Sequence, residues 1–195
     1  MSLTNSADRW GPVSQLLHWT VVLLVTALAV LGLLMVDLPN TPQKIKLYAL
    51  HKSLGLTVLA LMAIRLAWRV YAGAPQPVAG TPRWQERAAR LTHGALYALL
   101  FVQPLTGWLF NSAAGFPLQW FGVVNLPRIA AKDPELRDLA GSLHEGGFWL
   151  LLALVVAHAG AAFHHHLCQH DATLKRMLPR RRTRTPDAPE TRHVA

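Results

Sequence analysis

The sequence predicts an all-α integral membrane protein, a bundle of four membrane-spanning helices. Hydrophobic residues make up 52% of the 195-residue chain and charged residues only 15%, whereas ordinary soluble domains carry roughly 25% charged residues. The apolar residues are gathered into four long runs, and each run is close to the roughly 20 residues that a helix needs to cross a bilayer. A large soluble multi-domain enzyme is therefore excluded.

The four runs define the predicted spans of a single domain. The first run is too long for the apolar core of a signal peptide, and no small-residue cleavage site follows it, so we expect it to remain in the mature protein. Turns rich in proline and glycine separate the spans. The spans are placed at about 14–36, 47–69, 91–110 and 143–166, within a domain of residues 1–182, and residues 183–195 are expected to form a disordered basic tail.

The connection after the third span is the longest in the domain, and its aromatic residues Trp120 and Phe121 suit a loop at the membrane surface. The fourth helix is expected to begin well before its span, at Asp133-Pro134-Glu135. Aspartate is a preferred N-cap residue, proline is favoured at the first helical position, and glutamate suits the positive end of the helix dipole.

The 19 Lys and Arg residues outnumber the 10 Asp and Glu residues, which gives a net charge of +9. In a soluble chain this excess would indicate nucleic-acid binding, but here the basic residues are segregated, and no nucleic-acid partner is expected. Thirteen of them lie at the N-terminus, around the second loop and in the tail; the other six lie in the first and third loops. Both termini are therefore predicted to be cytoplasmic, and in a bacterium the protein would lie in the inner membrane.

Cysteine chemistry is restricted because Cys168 is the single cysteine. An intramolecular disulfide, a Cys-ligated iron–sulfur cluster and a covalently attached haem of the C-x-x-C-H type are excluded. Any haem must be bound non-covalently. The histidine run 164–166, followed by His170, is interpreted as a solvated end of the fourth helix, with metal binding left open.

Ionisable side chains are costly inside apolar runs and usually serve a function there. Five histidines lie in or at the ends of the spans: His18, His51, His93, His144 and His158. His144 and His158 are 14 residues apart, which on a helix is roughly 21 Å along the axis and only about 40° around it. The alternating directions of the spans place His51 at the level of His144, and His18 and His93 at the level of His158. His93 is the shallower residue and is interpreted as an interfacial or quinone-side residue.

The same step of 14 residues connects other histidines to informative residues. The pairs are His18 and Gly32, His93 and Gly107, and His51 and Arg65. Glycine permits close backbone approach to a bulky cofactor, although both glycines also suit helix packing. Arg65 could pair with a carboxylate such as a haem propionate, and the positive rim formed by Lys44, Lys46 and Lys52 would attract a propionate or an anionic substrate.

These positions together predict a four-helix bundle with two b-type haems bound between the helices, one at each depth. Zinc is not favoured, because two facing histidines per level are too few for a tetrahedral site.

Several stretches resemble the bacterial cytochrome b-561 family. They are Gln15-Leu-Leu-His18-Trp19, His51-Lys52-Ser53-Leu54-Gly55 with Arg65, His144-Glu145, His158-Ala159-Gly160-Ala161-Ala162, His165-His166 and the stretch from Asp171 to Pro179. The resemblance covers roughly residues 8–182, and its motifs follow one another in the family's order along the spans.

This resemblance implies an inner-membrane oxidoreductase that exchanges electrons with the quinone pool. It further implies that His18 and His158 bind one haem and that His51 and His144 bind the other. The family includes superoxide:ubiquinone oxidoreductases, so periplasmic superoxide is the expected donor and ubiquinone the expected acceptor.

Two other classes of function stay open on the sequence. The chain could be the haem b membrane-anchor subunit of a larger dehydrogenase or hydrogenase complex, or a scaffold or transporter without haem. Transport is least favoured, because no span shows the paired interruptions of substrate-binding helices, and Pro104 is expected only to kink the third span. The expected partners are membrane lipid, quinone, a superoxide donor, a redox partner subunit and a second copy of the chain in a homodimer.

Overall fold

The structure, a computed structural model, describes residues 3–179, which form four long helices and one short β-hairpin. In chain order the elements are α1 (Pro12–Val36), α2 (Pro42–Ala72), α3 (Arg83–Ala113), β1 (Leu118–Trp120), β2 (Val124–Leu126), α4 (Pro134–Leu167) and a 3₁₀ helix (Lys175–Met177). Each predicted span lies within one helix, and α2, α3 and α4 extend several residues beyond it. The predicted basic tail lies outside the described residues.

The helix starts follow from local sequence. Proline occupies the first position of α1, α2 and α4, where its missing N–H and fixed φ suit a helix start. The side chain of Thr41 caps α2. The Asp133 carboxylate accepts hydrogen bonds from two backbone N–H groups in the first turn of α4, at 2.9 and 3.1 Å, as the sequence predicts.

Among the described residues, three helices (α1, α2 and α4) are long and apolar enough to span a membrane. Little of each span is buried inside the protein, which is typical of helices whose sides face lipid. Helix α3 falls outside this set and is less apolar: its first turns carry charged residues, and Gln103 and Pro104 lie within its apolar part.

The helices pack in the order of the chain: α1 against α2, α2 against α3, and α3 most extensively against α4. Val21, Val58 and Met62 form a small buried core between α1 and α2, and Tyr97 and Phe101 of α3 pack against it. Helix α4 therefore lies along α3 and faces α1 and α2 across the histidine pairs described below.

One end of the bundle carries the β-hairpin and is called the hairpin end. The two strands are antiparallel, with Leu118 opposite Leu126 and Trp120 opposite Val124, and β1 packs on α2 and α3. The sequence predicts an aromatic loop here but no strands. The structure differs from this expectation in that a few residues of the loop pair as strands. Strands of three residues are too short to show an alternating pattern in the sequence.

The opposite end, at which α1 begins and α4 ends, is called the terminal end. The C-terminal segment is fastened there to α1: the indole Nε1 of Trp19 donates to the Met177 carbonyl at 3.0 Å, and the Gln15 amide donates to the Arg176 carbonyl at 3.3 Å. The α2–α3 loop joins the same network through Gln76, whose N–H donates to the Ala7 carbonyl at 2.8 Å.

Candidate functional site

The structure brings four of the predicted histidines together as two facing pairs. At the terminal end, the imidazole rings of His18 on α1 and His158 on α4 have centres 6.4 Å apart. At the hairpin end, the rings of His51 on α2 and His144 on α4 have centres 6.3 Å apart. Helix α4 supplies one member of each pair, and the 14 residues between its two histidines separate the pairs by roughly 21 Å along the helix.

The spacing within each pair fits two imidazoles bound to opposite faces of one metal ion. Histidine–metal bonds of about 2 Å on both sides place the two ring centres roughly 6 Å apart. Within residues 3–179 there is no group of three or more His, Cys, Asp or Glu residues that could hold a metal ion. Two protein ligands per level suit a haem, whose porphyrin supplies the other four.

His93 also lies beside His158, with ring centres 5.1 Å apart. This distance is shorter than two imidazoles on opposite faces of one metal ion require. His93 is therefore a neighbour of the pair at the terminal end rather than an alternative facing ligand.

The two predicted glycines lie at the hairpin-end pair and touch its rings. A Cβ atom on Gly107 would lie 3.1 Å from Cε1 of His144, and one on Gly32 would lie 3.5 Å from Cε1 of His51. The first distance is tighter than ordinary van der Waals contact, so a side chain at residue 107 would displace the His144 ring.

His144 is oriented by hydrogen bonds from α3. Its Nδ1 lies 3.0 Å from the Gln103 carbonyl oxygen and 3.2 Å from the Thr106 hydroxyl. Because a carbonyl oxygen only accepts, Nδ1 carries the proton in the bond to Gln103, which leaves Nε2 free to bind a metal. In return, the Gln103 side-chain amide donates to the His144 carbonyl at 3.0 Å.

Sequence reasoning missed Gln103 and Thr106. The sequence signal for Gln103 is a glutamine followed by proline inside an apolar run. The sequence does not indicate which residue of another helix Gln103 and Thr106 contact. Gly147 makes room for the glutamine: a Cβ atom there would collide with Oε1 of Gln103.

His51 has a different environment. Its Nδ1 is buried and has no hydrogen-bond partner among the described residues. Buried polar atoms are almost always paired, so His51 lacks the orienting hydrogen bond that His144 has.

Arg65 lies at the terminal end, where the sequence places it. Its Nε donates to the Tyr97 hydroxyl at 3.1 Å and its Nη1 to the Ser14 carbonyl at 3.3 Å. The guanidinium of Arg69 lies over the rings of Trp10 and Tyr97, at 5.4 and 5.9 Å from their centres. Neither arginine forms an ion pair with another described residue, so both charges suit an anionic group such as a haem propionate.

The lysines of the predicted positive rim have different surroundings. Lys52 donates to the Asn111 side chain at 3.1 Å and to the Pro117 carbonyl at 3.5 Å, which ties α2 to the base of the hairpin. Lys44 caps the end of α1 by donating to the Val36 carbonyl at 3.1 Å, and it also donates to the Leu38 carbonyl at 2.7 Å. Lys46 is exposed.

The histidine run 164–166 forms the last turn of α4. His165 Nδ1 lies 2.5 Å from a carboxylate oxygen of Asp171, so this histidine is paired rather than simply solvated. Burial alone would raise the pKa of Asp171, but hydrogen bonds from Thr173 and His165 outweigh it and hold that pKa below its usual value.

Residues 9–180 match the family model described as prokaryotic cytochrome b561. The chain belongs to this family. Over 179 residues it is 37% identical to cytochrome b561 homolog 2 of Escherichia coli (strain K12), covering 91% of this chain and 95% of the relative. Cytochrome b561 homolog 1 of the same strain is 35% identical over 132 residues, covering 68% and 74%.

A third relative, the probable superoxide oxidase CybB of Yersinia pestis, is 27% identical over 174 residues, covering 85% of this chain and 93% of the relative. Family membership confirms the resemblance expected from the sequence. The protein is an integral membrane helical bundle. It belongs to a family whose members bind b-type haem and transfer electrons across membranes.

Proposed function

We propose that this protein carries electrons across a bacterial inner membrane through two b-type haems, from periplasmic superoxide to ubiquinone. The proposal is supported above all by the two histidine pairs, whose ring centres are 6.4 and 6.3 Å apart at two levels of one bundle. With one bis-histidine haem at each level, an electron would cross the membrane in short transfer steps.

The chain's own residues would hold the two groups in place. His18 and His158 are the proposed ligands at the terminal end, and His51 and His144 at the hairpin end. A b-type haem, when bound, supplies a centre that takes up and gives away single electrons. Arg65 would neutralise a propionate at the terminal end, and the small residue Gly107 leaves the His144 ring in place.

Both termini are proposed to be cytoplasmic, which makes the hairpin end periplasmic. Among the described residues, eight Lys and Arg residues belong to the terminal end and six to the hairpin end, and the positive-inside rule assigns the more basic end to the cytoplasm. Lys46, the exposed lysine of the predicted rim, then lies on the periplasmic side.

The choice of donor is supported by charge and by a relative. The relative from Yersinia pestis is named a probable superoxide oxidase, and a positive rim raises the local concentration of an anion such as superoxide. Each superoxide would lose one electron and leave as dioxygen, and two such electrons with two protons would convert ubiquinone to ubiquinol. His93, beside His158, is proposed to lie on the quinone side.

A superoxide pulse on purified protein in proteoliposomes containing ubiquinone tests this function. Superoxide is generated outside the vesicles by xanthine oxidase in the presence of catalase, and the haem α-band and the amount of ubiquinol are followed together. We expect rapid haem reduction, ubiquinol formation at one molecule per two superoxides, and loss of both signals when superoxide dismutase is added.

The other outcomes separate the alternatives. Haem that dithionite reduces but superoxide does not would reject the superoxide donor, and a co-purifying dehydrogenase would then favour the membrane-anchor function. A colourless protein that binds no added haem would reject electron transfer altogether.

A further inference from the structure

The segment between α3 and α4 is apolar although it lies outside the predicted membrane spans. Residues 116–127 contain no Asp, Glu, Lys, Arg or His, although they connect two helices outside the predicted spans. Three of their large apolar side chains are strongly exposed on the protein: Phe116 at 60%, Phe121 at 52% and Val123 at 83%. Such a cluster is unfavourable in water and indicates a binding surface for another apolar phase.

The hairpin is hydrogen-bonded to the side of α2 and does not lie beyond the end of that helix. The Phe121 N–H donates to the Ser53 hydroxyl at 2.9 Å, and the indole Nε1 of Trp120 donates to the Thr57 hydroxyl at 3.1 Å. Both hydroxyls belong to the uncharged part of α2, residues 53–64, and α2 is long and apolar enough to span the membrane.

These contacts set the depth of the turn. If the uncharged part of α2 is centred in the bilayer, Ser53 lies about 8 Å from the midplane at 1.5 Å per residue. The hydrocarbon of a leaflet extends to about 15 Å from the midplane. The turn of the hairpin is therefore level with acyl chains, and its exposed side chains continue the lipid-facing surface of α2.

Polar groups at this depth need partners inside the protein, and several groups of the segment have them. The strands pair with each other, and the Val123 N–H donates to the Trp120 carbonyl at 3.0 Å to close the turn. The two side-chain amides of the segment also pair, since Gln119 donates to Asn125 at 2.9 Å.

The turn conformation depends on this contact with α2. Phe121 and Gly122 both have positive φ, 50° and 72°. Glycine adopts this region easily, but a bulky aromatic residue does so only when its surroundings hold it there. The hydrogen bond to Ser53 supplies that restraint.

We propose that residues 116–127 form a re-entrant β-hairpin whose turn lies among the lipid acyl chains of the leaflet at the hairpin end. The partner of this surface is lipid, because its exposed side chains are apolar, the side-chain amides and turn N–H groups named above are paired within the protein, and its contacts are with a membrane-spanning helix. The inference depends on the membrane location of the bundle and is independent of which donor or acceptor the protein uses.

Site-specific fluorescence quenching tests the proposal on the full chain in nanodiscs. In a Cys168→Ser background, Val123→Cys is labelled with an NBD fluorophore. Ile129→Cys is the matched control, because Ile129 is also exposed but lies beyond the charge-free segment, next to Arg128. Leu23→Cys, exposed within the α1 span, serves as the lipid-facing reference.

We expect lipids with a nitroxide on the acyl chain to quench the label at residue 123 several-fold more than the label at residue 129. Aqueous iodide should give the reverse order. Equal quenching of both labels by iodide would overturn the proposal. Protection of residue 123 from both quenchers would also overturn it, since a protein partner or a second copy would then cover the hairpin.

Discussion

His144 is held by α3 even though α3 supplies neither member of its histidine pair. The Gln103 carbonyl fixes which ring nitrogen carries the proton, and the Gln103 amide fastens the backbone of α4 at the same point. Hydrogen bonds of this kind orient a metal-ligating histidine and raise its basicity. Gln103 is therefore a positioning residue, and its position depends on the absence of a side chain at residue 147.

Adjacent glycines on α4 provide a matched test of this arrangement. In Gly147→Ala the new methyl group collides with the Gln103 amide, so we expect a shifted midpoint potential for one haem and a loss of about 1 kcal/mol of stability. Redox titration and thermal unfolding measure both effects. Gly146→Ala, whose Cβ meets nothing within 4 Å, should leave both unchanged; equal effects of the two variants would contradict the proposed role of Gln103.

Gly107 provides a second test at the scale of one residue. Gly107→Ala should push the His144 ring aside, because its Cβ would lie 3.1 Å from Cε1. We expect the haem content, measured as the pyridine haemochrome per chain, to fall toward one half of the wild-type value. Gly94→Ala on the same helix, where a Cβ meets nothing within 4 Å, is the control, and a full haem complement in both variants would refute the prediction.

The sequence predicts the location of some of these residues and not of others. The step of 14 residues predicts that His144 and His158 lie at two depths on one face, because the rise and rotation of a helix are fixed, and the alternating directions of the spans predict which histidines share each depth. The same step places Gly32 and Gly107 beside the hairpin-end pair. Gln103 could not be assigned, because its contact with His144 depends on how far α3 and α4 are rotated about their axes, which no spacing within one helix determines.

At the scale of elements, the C-terminal segment is fastened to the rest of the protein by a few polar contacts. Asp171 accepts hydrogen bonds from His165 and from the Thr173 N–H, at 2.5 and 2.8 Å. Beyond it, the Met177 carbonyl accepts a hydrogen bond from Trp19. The end of α4 is thus joined to the start of α1 near the histidine pair of the terminal end.

The lowered pKa of Asp171 gives a pH-dependent prediction. A carboxyl whose pKa is depressed by folding stabilises the protein above its unfolded pKa, and the contribution is lost as the pH falls through the folded value. The unfolding temperature of the wild type should therefore exceed that of Asp171→Asn near pH 7, and the difference should shrink below about pH 4. A difference that grows on acidification would contradict the assignment.

Elements differ in how far the sequence predicts them. The start of α4 follows from Asp133 and Pro134, because capping is a local property. The hairpin does not, because Phe121 adopts a positive φ against its own preference and is held by Ser53, a residue 68 positions away. Only the assembled bundle brings those two residues together.

At the scale of the whole molecule, the charge at the two ends of the bundle tests the direction of electron flow. Lys46→Glu reverses an exposed charge on the rim at the hairpin end, so we expect the rate of haem reduction by superoxide to fall about two- to fivefold at low ionic strength and less in high salt. Stopped-flow absorbance at both salt concentrations measures this change.

Arg83→Glu makes the same charge reversal at an exposed residue of the terminal end and is the matched control. The rate with superoxide should be nearly unchanged in this variant. A larger loss of rate in Arg83→Glu than in Lys46→Glu would place the entry of superoxide at the opposite end.

The number of haems per chain, measured by pyridine haemochrome on detergent-purified protein, tests whether each histidine pair binds one haem. We expect two haems in the wild type, two in His93→Ala, and one in each of His158→Ala and His51→Ala, with the remaining haem having a different midpoint potential in the two variants. One haem per wild-type chain, or two haems retained after either ligand is removed, would contradict this assignment.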